Sequence, residues 1–241
     1  MYKIVRMLTR RKDLTPAQFR EIALKRHSIL AERSIVMAPI RKVVLNFATG
    51  ESFGGAAPPF DGMREVYIDK MSDLREVVEG PLPGMVREGE RDFLEAGHVP
   101  TRTLTEEFLM SQKPDADKMM KAAGQIKIIR TVYRRKDLTL AQFKDYWLTN
   151  HSKLEERVIR ESPVTRIVAS FAVPEAGRTP EFDGMVELYF NNVEDIRAMF
   201  AGPVPAMMRS DEENFVQMDA PAIRVVAEEH VVAERASAKV A

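Results

Sequence analysis

Arg10 to Thr15 reads RRKDLT, and the same six letters return at Arg134 to Thr139. The match does not stop there. Ala17 to Phe19 (AQF) meets Ala141 to Phe143, His27-Ser28 meets His151-Ser152, and Phe47 meets Phe171, all at the offset that separates His151 from His27, 124 residues. Beyond one loop of unequal length the offset becomes 122, the distance from Asp61 to Asp183. There FDGM (Phe60 to Met63) meets Phe182 to Met185, followed by Glu65 and Glu187, Tyr67 and Tyr189, Gly80-Pro81 and Gly202-Pro203, Phe93 and Phe215, and Glu106-Glu107 and Glu228-Glu229. Self-similarity in this order over two halves marks a duplicated module. The modules run over residues 1–110 and 126–234, with a linker at 111–125 and a small polar tail at 235–241.

Within each copy the pattern spells out elements. Tyr2 to Thr9 and Ile126 to Tyr133 read as the first strand. Thr15-Pro16-Ala17-Gln18 and Thr139-Leu140-Ala141-Gln142 are capping boxes, in which the threonine hydroxyl accepts from the amide three residues on and the glutamine reaches back. The helix that follows is expected to bury Phe19, Ala23, His27 and Leu30, and in the second copy Phe143, Trp147, His151 and Leu154. Arg41 to Phe47 and Met63 to Asp69 are strands, with echoes at Thr165 to Phe171 and from Met185. The third strand alternates a face of Arg64, Val66 and Ile68, expected to pack on helices, with a mixed face of Met63, Glu65 and Tyr67; its copy has Val186, Leu188 and Phe190 against Met185, Glu187 and Tyr189. A helix over Ser72 to Glu79 stops at Gly80-Pro81, a shorter one lies around Val86 to Leu94, and Thr101 to Phe108 is a fourth strand. The fold class is α+β: two tandem ferredoxin-like βαββαβ modules. One sheet face of each module lacks helices and has to be covered, so the modules are expected to pair into one dimeric-type α+β barrel of about eight strands, a size able to hold one small ligand.

Composition bounds the function. Lys+Arg and Asp+Glu both number 36, so no basic surplus points to nucleic acid. The absence of cysteine removes disulfides, thiol nucleophiles and thiolate-held metals. No apolar run is long enough for a membrane span and the first residues do not resemble a secretory signal, so a cytoplasmic protein is expected.

The residues RKDLT-x-AQF, Tyr146-Trp147 ahead of His151, FDG-x-x-E-x-Y, Gly-Pro, the Phe of the short helix and the Glu-Glu strand resemble the EthD family, twice over nearly the whole chain. The resemblance implies a dimeric α+β barrel and a place in degradative or tailoring pathways. Relatives in that superfamily include lactone isomerases, dehydratases, cofactor-free monooxygenases and haem proteins. The first copy departs from the pattern, with Ile22-Ala23 where the second has Tyr146-Trp147.

Candidate acid/base groups are His151 and His27, Glu187 with Tyr189, and Glu65 with Tyr67. Trp147, Tyr146, Tyr133, Arg6, Arg130, Met63 and Met185 are candidate substrate contacts. The structural alternatives are a buried helix histidine for His27 and His151, and neutralisation of Glu65 and Glu187 by Arg6 and Arg130. His98 and His230 look unshared, the Asp61-Gly62 and Asp183-Gly184 pairs suit turns, and the loops Ala48 to Pro59 and Val173 to Glu181 are expected to gate the site. His151, with Trp147 one turn before it, is expected to matter more than His27. With no phosphate loop, dinucleotide fingerprint or metal motif, the expected cofactor and metal are none. The chain reads as a lyase, dehydratase or isomerase acting on a small organic molecule. A non-catalytic small-molecule binder and a haem-binding barrel stay open, and so does a homodimer of the paired chain.

Overall fold

A computed structural model describes residues 1–51, 60–96, 102–116, 118, 125–221 and 223–236. The elements in chain order are β1 (Tyr2–Leu8), α1 (Pro16–Met37), β2 (Ile40–Ala48), β3 (Gly62–Ile68), α2 (Leu74–Glu79), α3 (Leu82–Glu90) and β4 (Arg102–Gln112). Then come β5 (Gln125–Val132), α4 (Leu140–Tyr146), a π-helical turn (Trp147–His151), α5 (Ser152–Glu161), β6 (Arg166–Ala172), β7 (Gly184–Phe190), α6 (Val193–Ala201), α7 (Val204–Glu212) and β8 (Arg224–Glu234). Hydrogen bonds link the strands in the closed order β1-β3-β2-β8-β5-β7-β6-β4. The expected α+β class and eight-stranded barrel are thus present.

The chain forms two compact units, and neither is a contiguous half. One holds residues 1–47, 59–105 and 230–241, the other 48–58 and 106–229. The strands β4 and β8 each begin in one unit and end in the other. β4 runs on to Gln112 and β5 starts at Gln125, both inside the stretch read as linker, and β8 ends at Glu234.

In the first unit β3 pairs antiparallel with β1 on one side and β2 on the other, with Val5 and Val44 both opposite Glu65. In the second, β7 does the same with β5 and β6, with Ile129 and Val168 opposite Glu187. Both capping boxes form: Thr15 and Thr139 accept from the amides of Gln18 and Gln142 at 3.2 Å, and each glutamine accepts from its threonine amide at 2.9 Å. The repeated hexapeptide is structural. Its first arginine, Arg10 or Arg134, binds Asp61 or Asp183 through both backbone amide and guanidinium. Its second, Arg11 or Arg135, pairs with Asp13 or Asp137 and sends its amide to the carbonyl of Phe93 or Phe215 at 2.9 Å. The two aspartates therefore do more than turn the chain into β3 and β7. The glycine after each is fixed by sterics: a Cβ on Gly184 would lie 3.0 Å from the Phe143 ring, and one on Gly62 would lie 3.0 Å from the Asn46 carbonyl.

The helical face differs from the expected one at its fourth position. Buried residues of α1 are Phe19, Ala23, His27, Ala31 and Ser34, so a stride of four continues and Leu30 is only half-buried. In the second copy the same stride buries Glu155, at 1% exposure, where Leu154 was expected. Apolar cores lie between helices and sheet in each unit: Leu8, Phe19, Leu45 and Phe93 in one, Ile128, Val158, Ile167 and Phe190 in the other. Among the described residues no helix is long and apolar enough to cross a membrane.

Candidate functional site

Strand parity sorts the polar residues of the second unit into two groups. On the face of β7 away from the helices, Glu187 and Tyr189 meet Lys127 of β5 and Glu229 of β8. Lys127 Nζ donates to Glu187 Oε1 and to Glu229 Oε2, both at 2.5 Å, and the Tyr189 hydroxyl donates to Glu229 Oε2 at 2.9 Å. Lys127 and Glu187 are fully buried. In the first unit Lys3 Nζ donates to Glu65 Oε1 at 2.9 Å and Asn46 Nδ2 donates to Glu65 Oε2 at 3.1 Å, while Lys42 lies over the Tyr67 ring at 4.1 Å. Met63 and Met185 complete these faces and are likewise buried.

The expected neutralising arginines do not serve there. Arg6 stands opposite Arg64 in register, on the helix side of β1, and binds both oxygens of Glu90 at 3.1 and 3.0 Å. Arg130 binds Glu212 of α7 at 2.5 Å. Arg6 and Arg130 alternate out of phase with Glu65 and Glu187, so a lysine two strand positions from Val5 or Ile129 is the group that reaches each carboxylate.

On the helix side each histidine is buried near its arginine–glutamate pair. His27 Nε2 has no hydrogen-bond partner among the described residues, lies 3.7 Å from Glu90 Oε1, and its ring meets Phe93 edge-on. Burial, with Arg64 and Arg6 nearby, holds its pKa well below the usual value, so it is neutral. His151 differs: its Nδ1 contacts Asp211 Oδ2 at 2.7 Å, and the Tyr146 hydroxyl donates to Asp211 Oδ1 at 3.0 Å. Burial lowers the His151 pKa and Asp211 opposes that shift. Trp147 donates to Glu155 Oε1 at 3.0 Å. In the first copy the matching positions are Ile22 for Tyr146, Gly89 for Asp211, Ala23 for Trp147 and Ala31 for Glu155. Each hydrogen-bonded pair is present in one copy and missing as a pair from the other. The expected asymmetry between the halves extends to partners that the sequence reading did not single out.

A groove of about 520 Å³ opens beside these rings, lined by Glu106, Thr139, Leu140, Ala141, Lys144, Phe171, Ala172, Val173 and Pro174. Its wall is Phe171, backed by Trp147 at 5.4 Å between ring centroids, and Trp147 is backed in turn by His151 at 5.6 Å. One charged pair stands in the groove: Lys144 Nζ is 2.5 Å from Glu106 Oε2, and both side chains are about a third exposed. The ammonium sits 4.6 Å from the Phe108 ring centroid.

None of the candidate residues read from the sequence is among those lining residues. Trp147 and His151 form the layers behind the wall, and Tyr133 donates to the Glu181 carbonyl at 2.7 Å, holding the end of the loop that starts at Val173. Glu106 had a signal only as a repeat position and Lys144 had none, since α4 and β4 are far apart in sequence. Val173 and Pro174 place the start of one expected gating loop at the groove, and Gly177 turns that loop with a φ of 72°. Residues 52–59 of the other loop, and His98, lie outside the described residues. His230, in the first unit, sits 3.0 Å from Arg20 Nη2.

The family model described as EthD domain matches residues 135–219. Among curated proteins, none matches. Solved structures share the fold. An anthrone oxidase-like protein is 8% identical with a TM-score of 0.57, covering 98% of this chain and 96% of its own. A protein provisionally assigned as a monooxygenase from Fusobacterium nucleatum is 6% identical with a TM-score of 0.58, covering 98% and 94%. A variant chlorite dismutase from Candidatus Nitrospira defluvii is 12% identical with a TM-score of 0.52, covering 94% and 90%. At such identities the likeness concerns the fold alone. Residues 135–219 thus match the EthD domain, and that matched stretch carries the groove wall and the Tyr146–Asp211–His151 group.

Proposed function

We propose that this chain is an enzyme that moves protons on a small, partly apolar carbonyl, lactone or aromatic compound, as an isomerase, dehydratase or other lyase of a degradative or tailoring pathway. The observation that carries this reading is the groove of the second unit, about 520 Å³ of mainly apolar wall with one charged pair in it. That is the usual make-up of a small-molecule site, in which apolar surface supplies affinity and a few polar groups fix orientation. A solvated ion pair on a flat surface would need no such wall.

Ala141 lines the groove from the exposed side of α4, so Ala141→Phe narrows it without entering the core. Against a panel of small ketones, lactones and phenols, binding read from the single tryptophan, Trp147, is expected to weaken at least about tenfold. The melting temperature should stay within about 2 °C. Unchanged affinity, or no binding by any member of the panel, overturns the proposal.

His151 acts in this reading as a positioning residue behind Trp147 and Phe171. His151→Gln is expected to raise KM and lower turnover by roughly tenfold, while His27→Gln lowers stability by about 1–2 kcal/mol and leaves turnover alone. The reverse pattern would move the functional site to the first unit.

The proton-transfer reading is favoured over the haem one because His151 and His27 are buried, at 2% and 1% exposure, and neither is among the groove lining, although the Nδ1 contact of His151 with Asp211 leaves its Nε2 for a metal. An absorption spectrum of the protein mixed with haemin checks this: no Soret shift is expected.

A further inference from the structure

We infer that Glu106 and Lys144 are the catalytic pair of the groove and that its substrate class is a flat, largely apolar ketone or lactone with a C–H bond next to the carbonyl. The inference rests on the proposed function and assigns that site its chemistry.

The two groups combine proximity with low commitment to each other. They lie 2.5 Å apart, and exposures of 31% and 30% leave both in contact with solvent in the groove. An ion pair of that exposure is worth about 1 kcal/mol or less. A bound molecule can therefore part them at small cost, which a buried pair such as Lys127–Glu187 would not allow. Every other side chain of the lining is apolar except Thr139, whose hydroxyl is engaged with Gln142 in the capping box. The polar end of a ligand is thus directed to Glu106 and Lys144.

The lysine rests over the rings of Phe108 and Phe171, at 4.6 and 5.9 Å from their centroids, which fixes its height over the groove. A carbonyl oxygen accepting from the ammonium has its α-carbon two bonds away, on the side where the carboxylate stands. Glu106 then takes the α-proton. The C–H bond breaks, its electron pair forms the carbon–carbon double bond of an enolate, and the carbonyl electrons move onto oxygen, where Lys144 stabilises the new negative charge. Returning the proton from Glu106 to the same carbon gives exchange with solvent, and returning it to a conjugated carbon gives an isomer. No oxidant, reductant or further reactant enters the balance.

At the repeat positions Glu228 matches Glu106, Arg20 matches Lys144 and His230 matches Phe108, and Arg20 contacts His230 at 3.0 Å. The chemistry is assigned to the second unit because the groove lies there, with a lysine in place of the arginine.

The test uses the full chain and 2-tetralone as probe, with binding followed by Trp147 fluorescence and α-proton exchange followed by NMR in D2O. The wild-type chain is expected to bind the ketone and to exchange its α-protons faster than buffer does. Glu106→Gln should retain binding and lower the exchange rate about 10²–10⁴-fold. Lys144→Met should lower it about 10²–10³-fold. Glu161→Gln, at an exposed pair on α5, should exchange like the wild type. Exchange at the wild-type rate in Glu106→Gln, or a wild-type rate equal to buffer while the probe binds, overturns this assignment and leaves the small-molecule site standing. Absence of binding by the wild-type chain removes both.

Discussion

Lys127→Met is expected to cost the protein about 3–5 kcal/mol of stability, a fall in melting temperature of about 10 °C. The lysine is the cation between two carboxylates, 2.5 Å from each, in a place where neither Lys127 nor Glu187 has any exposure. Removing it leaves two negative charges facing each other in a medium that solvates them poorly, and the Tyr189 hydroxyl supplies one donor to Glu229. Methionine matches the stem of lysine, so loss of packing contributes little. Thermal melts of Lys127→Met, and of the same chain with Glu187→Gln and Glu229→Gln added, separate charge from shape. The triple variant is expected to recover more than half of the loss, because an uncharged cluster no longer needs the cation. Lys3→Met should cost less, since Asn46 still donates to Glu65. A Lys127→Met chain that melts with the wild type would show that the network carries no stability.

That lysine also shows where sequence reading stops. The repeat, both capping boxes, the order of helices and strands and the burial of Glu65, Glu187, His27 and His151 were all legible, because each rests on local spacing or on alternation within one strand. The partner of Glu187 was not. Strand parity held part of the answer: Lys3 and Val5 share a face that Arg6 does not, and Arg6 pairs in register with Arg64. Charge type drew the reading to Arg6 and Arg130, yet the glutamates that claim them, Glu90 and Glu212, end short helices more than 80 residues away. No period in the sequence announces such a pairing. The groove was illegible for the same reason, since Glu106 belongs to β4 and Lys144 to α4, and only the folded chain brings them together. Glu155 was different. Its stride of four from His151 was readable, but a glutamate at that position reads as solvent-facing until Trp147 is seen to bind it.

Glu155 should make stability fall with rising pH over a window that few surface carboxylates affect. Burial pushes its pKa from 4.5 up to about 7, only partly offset by the hydrogen bond from the Trp147 indole, and Oε2 is buried with no hydrogen-bond partner among the described residues. The folded carboxyl thus holds its proton more tightly than the unfolded one does. Below about pH 4.5 both states are protonated and the group costs nothing. As pH rises from there to 7, the unfolded chain loses its proton while the folded chain keeps it, and stability drains away until the folded group also ionises. Above that the full shift is expressed, about 3 kcal/mol. Glu155→Gln removes the titration and keeps an oxygen for the indole, at the cost of a buried amide nitrogen where Oε2 now lies. The variant is therefore expected to be close to the wild type in stability near pH 4.5 and more stable by about 1–3 kcal/mol at pH 8. Chemical denaturation at the two pH values measures the difference directly. The first copy gives an internal comparison, because Ala31 and Ala23 occupy the positions of Glu155 and Trp147 and no such titration arises there. An equal effect of Glu155→Gln at both pH values would mean that the carboxyl does not titrate in this range. The Trp147–Glu155 pair would then be a permanent hydrogen bond to a charged group, and the groove wall built on Trp147 would be insensitive to pH near neutrality.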